Sequence, residues 1–269
     1  MLSDARLHAM ARDLARIEGV VAVVLGGSRA RGTHRRDSDV DLGLYYEDPL
    51  DLLALADLAT RWAGRPVEVA APGRWGPWVN GGAWLTVDGI AVDWILRDLG
   101  RVSEQCERAR RGELAFHPQP GHPLGFLDVA YAGEVATCVP LADDDGVLAR
   151  LVAGLTPYPW ALRDAMLAGL WQVDFLLDAA AKGAKAADVA YVALCTSTAA
   201  MLVAHAWHAV AGSWVTNEKA LVPGTARLPV ATGGFAARVA AAIGALGTTP
   251  TDLQRAIDAV RAAPRPDVG

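Results

Sequence analysis

Apolar positions along the first third of the chain change period several times, and each change marks an element. Leu7, Met10, Leu14 and Ile17 recur at helical spacing behind Ser3, a hydroxyl suited to an N-cap. This predicts a helix running to about Glu18 and ended by Gly19. Val20 to Leu25 is a short, unbroken, β-branched run, the pattern of a buried strand. Gly26-Gly27-Ser28 breaks it, and after a polar stretch Val40 to Tyr46 predicts a second strand. Leu50 to Trp62 reads as a helix closed by Gly64, followed by a short strand from Pro66 to Ala70. Trp84 to Val87 and Ile90 to Leu96 flank Asp88-Gly89, a pair that favours a tight hairpin because both residues tolerate positive φ.

Asp98 to Arg111 is a charged helix, His117 to Gly125 a Pro/Gly connector, and Thr137 to Leu141 an edge strand. From Asp143 onward the pattern is helical. Trp160 to Ala181 reads as one helix with Leu162, Met166, Leu170, Val173 and Leu177 on one face. Ala187 to Ala211, Phe235 to Leu246 and Thr249 to Ala262 follow. The fold class is α+β: a small mixed sheet backed by helices over residues 1–143, then an all-α bundle over 144–269.

Composition narrows the picture. The chain of 269 residues is 52% hydrophobic and 20% charged, which excludes disorder and coiled coil. Lys+Arg number 25 against 30 Asp+Glu, a net charge of -5, so the positive excess that long nucleic acids require is missing. Cys106, Cys138 and Cys195 lie far apart and support neither a disulfide framework nor a zinc site. Val189 to Gly212 holds no charged residue and is long enough to cross a membrane. It is also Ala-rich and carries Thr196, Ser197, Thr198, His205 and His208, so we expect a buried bundle helix. The start Met1-Leu2-Ser3-Asp4 shows no export signal, and the expected location is cytoplasmic.

The chemistry concentrates between Val23 and Leu44. On a strand, residues two apart share a face, so Asp39 and Asp41 project together while Val40 and Leu42 are buried behind them. Neighbouring carboxylates repel and raise one another's pKa, and such a pair persists most readily around a cation. Few, hard oxygen ligands suit Mg²⁺, which keeps water and phosphate oxygens in its other positions. Gly27 lets the backbone approach a phosphate closely, and Ser28 offers a hydroxyl and an N–H. Arg31 follows with its fork of donors. Arg29, Arg35 and Arg36 are nearby and read as solvated. Asp93, the one acid inside the apolar run Ile90 to Leu96, is the candidate third carboxylate.

Leu25-Gly26-Gly27-Ser28 followed by Asp39-Val40-Asp41-Leu42 resembles the nucleotidyltransferase superfamily related to DNA polymerase β. Gly27, Ser28 and Arg31 are similar to the turn of the bacterial antibiotic, aminoglycoside-type, nucleotidyltransferases. The resemblance implies catalysis and metal binding by Asp39, Asp41 and Asp93, with two Mg²⁺ ions. It implies nucleotide binding by Gly27, Ser28, Arg31 and, from the helical half, Lys219. The implied reaction moves a nucleoside monophosphate from an NTP, by default ATP, to a hydroxyl and releases pyrophosphate. The acidic net charge favours a small-molecule acceptor over nucleic acid, and a membrane partner is not expected.

Other residues carry a bland reading beside a sharp one. Asn217 caps a turn and leaves Lys219 solvated, or Lys219 reaches a phosphate; Glu218 is a weaker candidate base. His205 and His208 read as bundle packing, and His117 and His122 as connector residues. Trp75, Trp78 and Trp84 either stack on a base or sugar or pack the loop. Two rival functions are modification of a partner protein by nucleotidylation, and nucleotide sensing without catalysis.

Overall fold

A computed structural model describes residues 2–35 and 38–267 of the chain. It divides into two compact units, Met1–Ala109 with Ala115–Thr156, and Arg110–Leu114 with Pro157–Gly269.

In the first unit, helix α1 (Asp4–Leu14) starts where Ser3 Oγ accepts the N–H of Arg6 at 3.3 Å. Strand β1 (Val20–Leu25) leads into a single helical turn, α2 (Gly27–Ala30), and strand β2 (Val40–Tyr46) follows. Helix α3 (Leu52–Ala63) is capped by Asp51, whose Oδ1 accepts the N–H of Ala54, and Gly64 ends it at φ 66°. Strands β3 (Gly82–Val87) and β4 (Ile90–Asp98) form the expected hairpin, with Asp88 and Gly89 at φ 52° and 77° as a type I′ turn requires. Helix α4 (Leu99–Arg111) begins with Asp98 Oδ1 accepting the N–H of Arg101. Two short strands, β5 (Phe116–His117) and β6 (Phe126–Leu127), pair with each other. Helix α5 (Ala130–Thr137), edge strand β7 (Val139–Ala142) and helix α6 (Val147–Gly154) complete the unit.

The main sheet runs β3-β4-β2-β1-β7, and β2 with β4 is its parallel pair. One face packs on α1 and α3: Val23, Leu42, Leu44, Leu85, Val92 and Trp94 meet Leu7, Met10, Leu14, Leu55 and Leu58 in one apolar core. Each such side chain contributes about 2 kcal/mol on burial. Because strands alternate, the residues between them, Asp41, Gly43 and Tyr45 on β2 and Asp93, Ile95 and Arg97 on β4, occupy the other face.

Two features of this unit differ from the sequence reading. Pro66 to Ala70 forms no strand; only Ala70 bridges Gly82, exchanging both backbone hydrogen bonds before the loop turns away. Helix α5 has no visible period in sequence because Ala130, Tyr131, Ala132 and Gly133 are all buried, leaving no polar face to betray it.

The second unit is helical. The expected long helix from Trp160 is two, α7 (Trp160–Ala168) and α8 (Trp171–Lys185), broken at Gly169-Leu170, where glycine's backbone freedom weakens a continuous helix. Leu167 is buried there, whereas Met166 is only partly so. Helix α9 (Val189–Val210) starts at Asp188, whose Oδ1 accepts the N–H of Tyr191. Short helix α10 (Leu221–Gly224), α11 (Phe235–Gly244) and α12 (Pro250–Arg261) follow, the last capped by Thr249. Leu177, Val192, Ala199, Val203, Phe235, Leu253 and Ile257 share its core. Among the described residues α9 is the one helix long and apolar enough to cross a membrane, and 50% of its most apolar window is buried in the protein.

Candidate active site

The site grows from the end of β1. Gly26 donates its N–H to the carbonyl of Asp41 at 2.8 Å, carrying the β1–β2 pairing one residue past the strand. Gly27 then turns at φ 61°, and a β-carbon there would lie 1.7 Å from Asp41 Oδ2. The turn therefore rests directly on the carboxylate, a position open only to glycine. Ser28 follows in α2, and its carbonyl accepts the N–H of Thr33 at 3.0 Å, folding the next segment back. Arg31 sits at the end of that turn, exposed.

Across the sheet, Asp41 of β2 is the register partner of Asp93 of β4, and both are partly buried between fully buried neighbours. The sequence offered Asp93 as a third carboxylate on a neighbouring strand; the residue-for-residue register with Asp41 is supplied by the parallel pairing of β2 with β4. Asp39 immediately precedes β2 and is exposed. Arg29 fixes this entry point. Its Nε donates to the carbonyl of Asp39 at 2.8 Å and its Nη2 to that of Ser38 at 2.6 Å. The expectation of a solvated Arg29 is thus corrected: the guanidinium clamps the start of the carboxylate strand. Arg36 lies outside the described residues.

Farther along the same face the sheet is closed by a buried ion pair that the sequence did not announce. Arg97 Nε and Nη2 donate to the two oxygens of Glu134 at 2.7 and 2.8 Å, and Nη1 donates to the carbonyls of Val79 and Leu96. Burial alone would lower the pKa of this guanidinium, but the Glu134 carboxylate outweighs it and holds Arg97 charged. Burial pushes the neighbouring Tyr45 phenol well up. The acids Asp41 and Asp93 thus lie at the open end of a face whose other end is sealed.

Residues 7–73 match the family model of the nucleotidyltransferase domain. Over this stretch the chain is similar to a nucleotidyltransferase domain. The matched stretch takes in Gly27, Ser28, Asp39 and Asp41 and stops before Asp93. A solved structure, a nucleotidyltransferase-like protein from Exiguobacterium sibiricum, is similar over 95% of this chain and 73% of its own, at 11% identity and a TM-score of 0.45. No curated protein matches the chain.

The sheet supplies hard oxygen donors of the kind a divalent cation takes: Asp41 and Asp93 side by side, with Asp39 one residue before β2. Among the described residues no three His, Cys, Asp or Glu side chains form a ready metal-binding group. The carboxylates of Asp41 and Asp93 lie on one face of two adjacent inner strands. The donor chemistry of these carboxylates suits a hard cation, and the space beside Gly27 is taken by Asp41 Oδ2.

Other candidates resolve differently. Lys219 belongs to the second unit; its backbone N–H is taken by Asn217 Oδ1 at 2.8 Å and the residue is exposed. Glu218 is partly buried, with Oε1 fully enclosed. His117 Nε2 lies 3.3 Å from Asp128 Oδ2 and its ring stacks on Trp78, a connector role. His208 Nε2 is 3.2 Å from the carbonyl of Leu221, and burial pushes the His205 imidazole down to about 3.

Proposed function

We propose that this protein transfers a nucleoside monophosphate from an NTP, ATP in the first instance, to a hydroxyl of a small-molecule acceptor, releasing pyrophosphate. The observation that carries this reading is the register of Asp41 beside Asp93 with the Gly27–Ser28 turn seated on Asp41. Asp39, Asp41 and Asp93 are the residues that would hold Mg²⁺, two ions by family resemblance. When bound, the metal supplies charge stabilisation to the entering and leaving oxygens. Gly27 lets the turn pack against Asp41, and Ser28 would offer its hydroxyl and N–H to a phosphate. Arg31 is proposed as a further phosphate ligand. The net charge of -5 favours a cationic acceptor, of which an aminoglycoside-like antibiotic is the specific case.

The test is thermal unfolding with ATP, GTP, CTP or UTP, with and without Mg²⁺, paired with pyrophosphate release. Ligand at a hundred times its dissociation constant adds about 2.7 kcal/mol, a rise of a few degrees at this size. A Mg²⁺-dependent rise in the wild type that disappears in Asp39→Asn/Asp41→Asn supports the site. An equal rise in the double variant removes the metal assignment. Nucleotide binding with no release of pyrophosphate from the NTP, whichever acceptor is supplied, would make the protein a nucleotide sensor.

A further inference from the structure

We propose that Trp84, braced by Trp75, is the stacking surface for the acceptor, a small molecule that presents a flat ring face, aromatic or sugar, beside its reacting hydroxyl. The inference rests on the transferase reading above. Its basis is a row that crosses three strands and ends on the residue after β1. Trp84 of β3 is the register partner of Asp93, Asp93 of Asp41, and Asp41 accepts the N–H of Gly26 at the head of the phosphate turn. Adjacent strands are about 4.8 Å apart, so Trp84 stands about 10 Å from Asp41, on the side away from Gly27 and Ser28.

That placement assigns a direction. In an in-line displacement the entering and leaving oxygens stand on opposite sides of the phosphorus. With pyrophosphate departing at the Ser28 and Arg31 side, the acceptor approaches from the side of Asp93 and Trp84. Trp84 is 63% exposed, although Ala83 and Leu85 on either side of it are buried. Its ring is set before any ligand arrives. Trp75 stacks on it with centroids 4.2 Å apart and planes 14° from parallel. Trp75 in turn lies over Gly82, where a β-carbon would come within 3.2 Å of its Cζ3. Its loop is tied down by the Trp75 N–H donating to the carbonyl of Asn80 at 3.0 Å and by Gln119 Nε2 donating to the Trp75 carbonyl at 2.6 Å. A held indole beside a carboxylate binds rings with little loss of freedom, and it is indifferent to whether the ring is aromatic or the apolar face of a sugar.

Saturation-transfer NMR on the full-length protein with phenol, methyl β-D-glucoside and kanamycin tests this, the first two separating aromatic from sugar recognition. ATP and inorganic tripolyphosphate, each with Mg²⁺, are titrated in parallel. We expect at least one ring probe to saturate on the wild type. Trp84→Leu should weaken it about tenfold or more, and Trp84→Phe should recover most of that loss. Trp75→Leu, which leaves the Trp84 ring but removes its brace, should weaken it by a smaller factor and guards against misfolding of the first variant. ATP and tripolyphosphate should bind all variants within about twofold of wild type. No saturable ring probe while ATP still binds overturns the platform and leaves the transferase reading standing. Ring binding without any nucleotide binding overturns the transferase reading instead. Weaker ATP but unchanged tripolyphosphate in Trp84→Leu would make Trp84 the nucleobase's platform and overturn the acceptor assignment.

Discussion

A β-carbon on Gly27 would stand 1.7 Å from Oδ2 of Asp41. The Gly27–Ser28 turn and the carboxylate strand are thus fitted closely to each other, and Gly27 also holds φ 61°, which other residues adopt at a cost. Gly27→Ala should move either the turn or the carboxylate. A displacement near 1 Å at reacting groups costs on the order of a hundredfold in rate. We expect pyrophosphate release to fall by about that factor, with the melting temperature lowered by a few degrees. Near wild-type turnover would show that the contact has no part in transfer.

Arg29 makes a second testable link, between the turn and the strand that carries the acids. Its two donations to the Ser38 and Asp39 carbonyls disappear in Arg29→Ala. Because the group is partly exposed, water replaces some of the loss, and the stability cost should be about 1 kcal/mol in urea unfolding. As a positioning residue it should weaken the Mg²⁺ dependence of transfer more than the affinity for tripolyphosphate. Arg29→Lys, which keeps one donor, should recover part of the effect. An unchanged Mg²⁺ titration would limit Arg29 to stability.

The Arg97–Glu134 pair is a stability element. Arg97 is 6% exposed at its side chain and Glu134 27%. Removing one partner strands a buried charge, and such losses run to about 3 kcal/mol. Glu134→Gln should therefore lower the urea midpoint strongly, whereas the double replacement Arg97→Met/Glu134→Leu should regain much of it. Equal loss in the single and double variants would count against this account.

The helical unit carries its own pH dependence. Burial pushes His205 down to about 3, while in the unfolded chain it titrates near its ordinary value of about 6.5. Below pH 6.5 the unfolded chain takes up a proton that the folded one refuses. The stability contribution is therefore complete above that pH and lost as pH falls toward 3. Between pH 8 and pH 5 the loss is about 2 kcal/mol. Burial also lowers His208, which adds in the same direction. His205→Gln should flatten the pH profile of the urea midpoint; an unaltered slope would assign the dependence to other groups.

Much of this arrangement was legible along the chain because it depends on near neighbours. The runs Val20–Leu25 and Val40–Tyr46 declare themselves through unbroken apolar side chains, and the Asp88-Gly89 turn through the φ values it must adopt. Gly27, Ser28, Asp39 and Asp41 fall within a single short span, so their spacing alone proposed a phosphate turn beside paired acids. Helix α5 escaped notice because four consecutive buried residues, Ala130 to Gly133, blur its amphipathic period, and Gly169 divided a helix whose apolar face reads as continuous.

Tertiary structure decided what lies between strands. The parallel pairing of β2 with β4 sets Asp93 against Asp41, the hairpin sets Trp84 against Asp93, and the fold brings Glu134 to Arg97 across 37 positions. The first and the last of these have no local signature, whereas the two-residue Asp88-Gly89 turn itself fixes the second. Strand register is chosen by the whole buried face at once, and a slip of one residue would turn every acid here into the core.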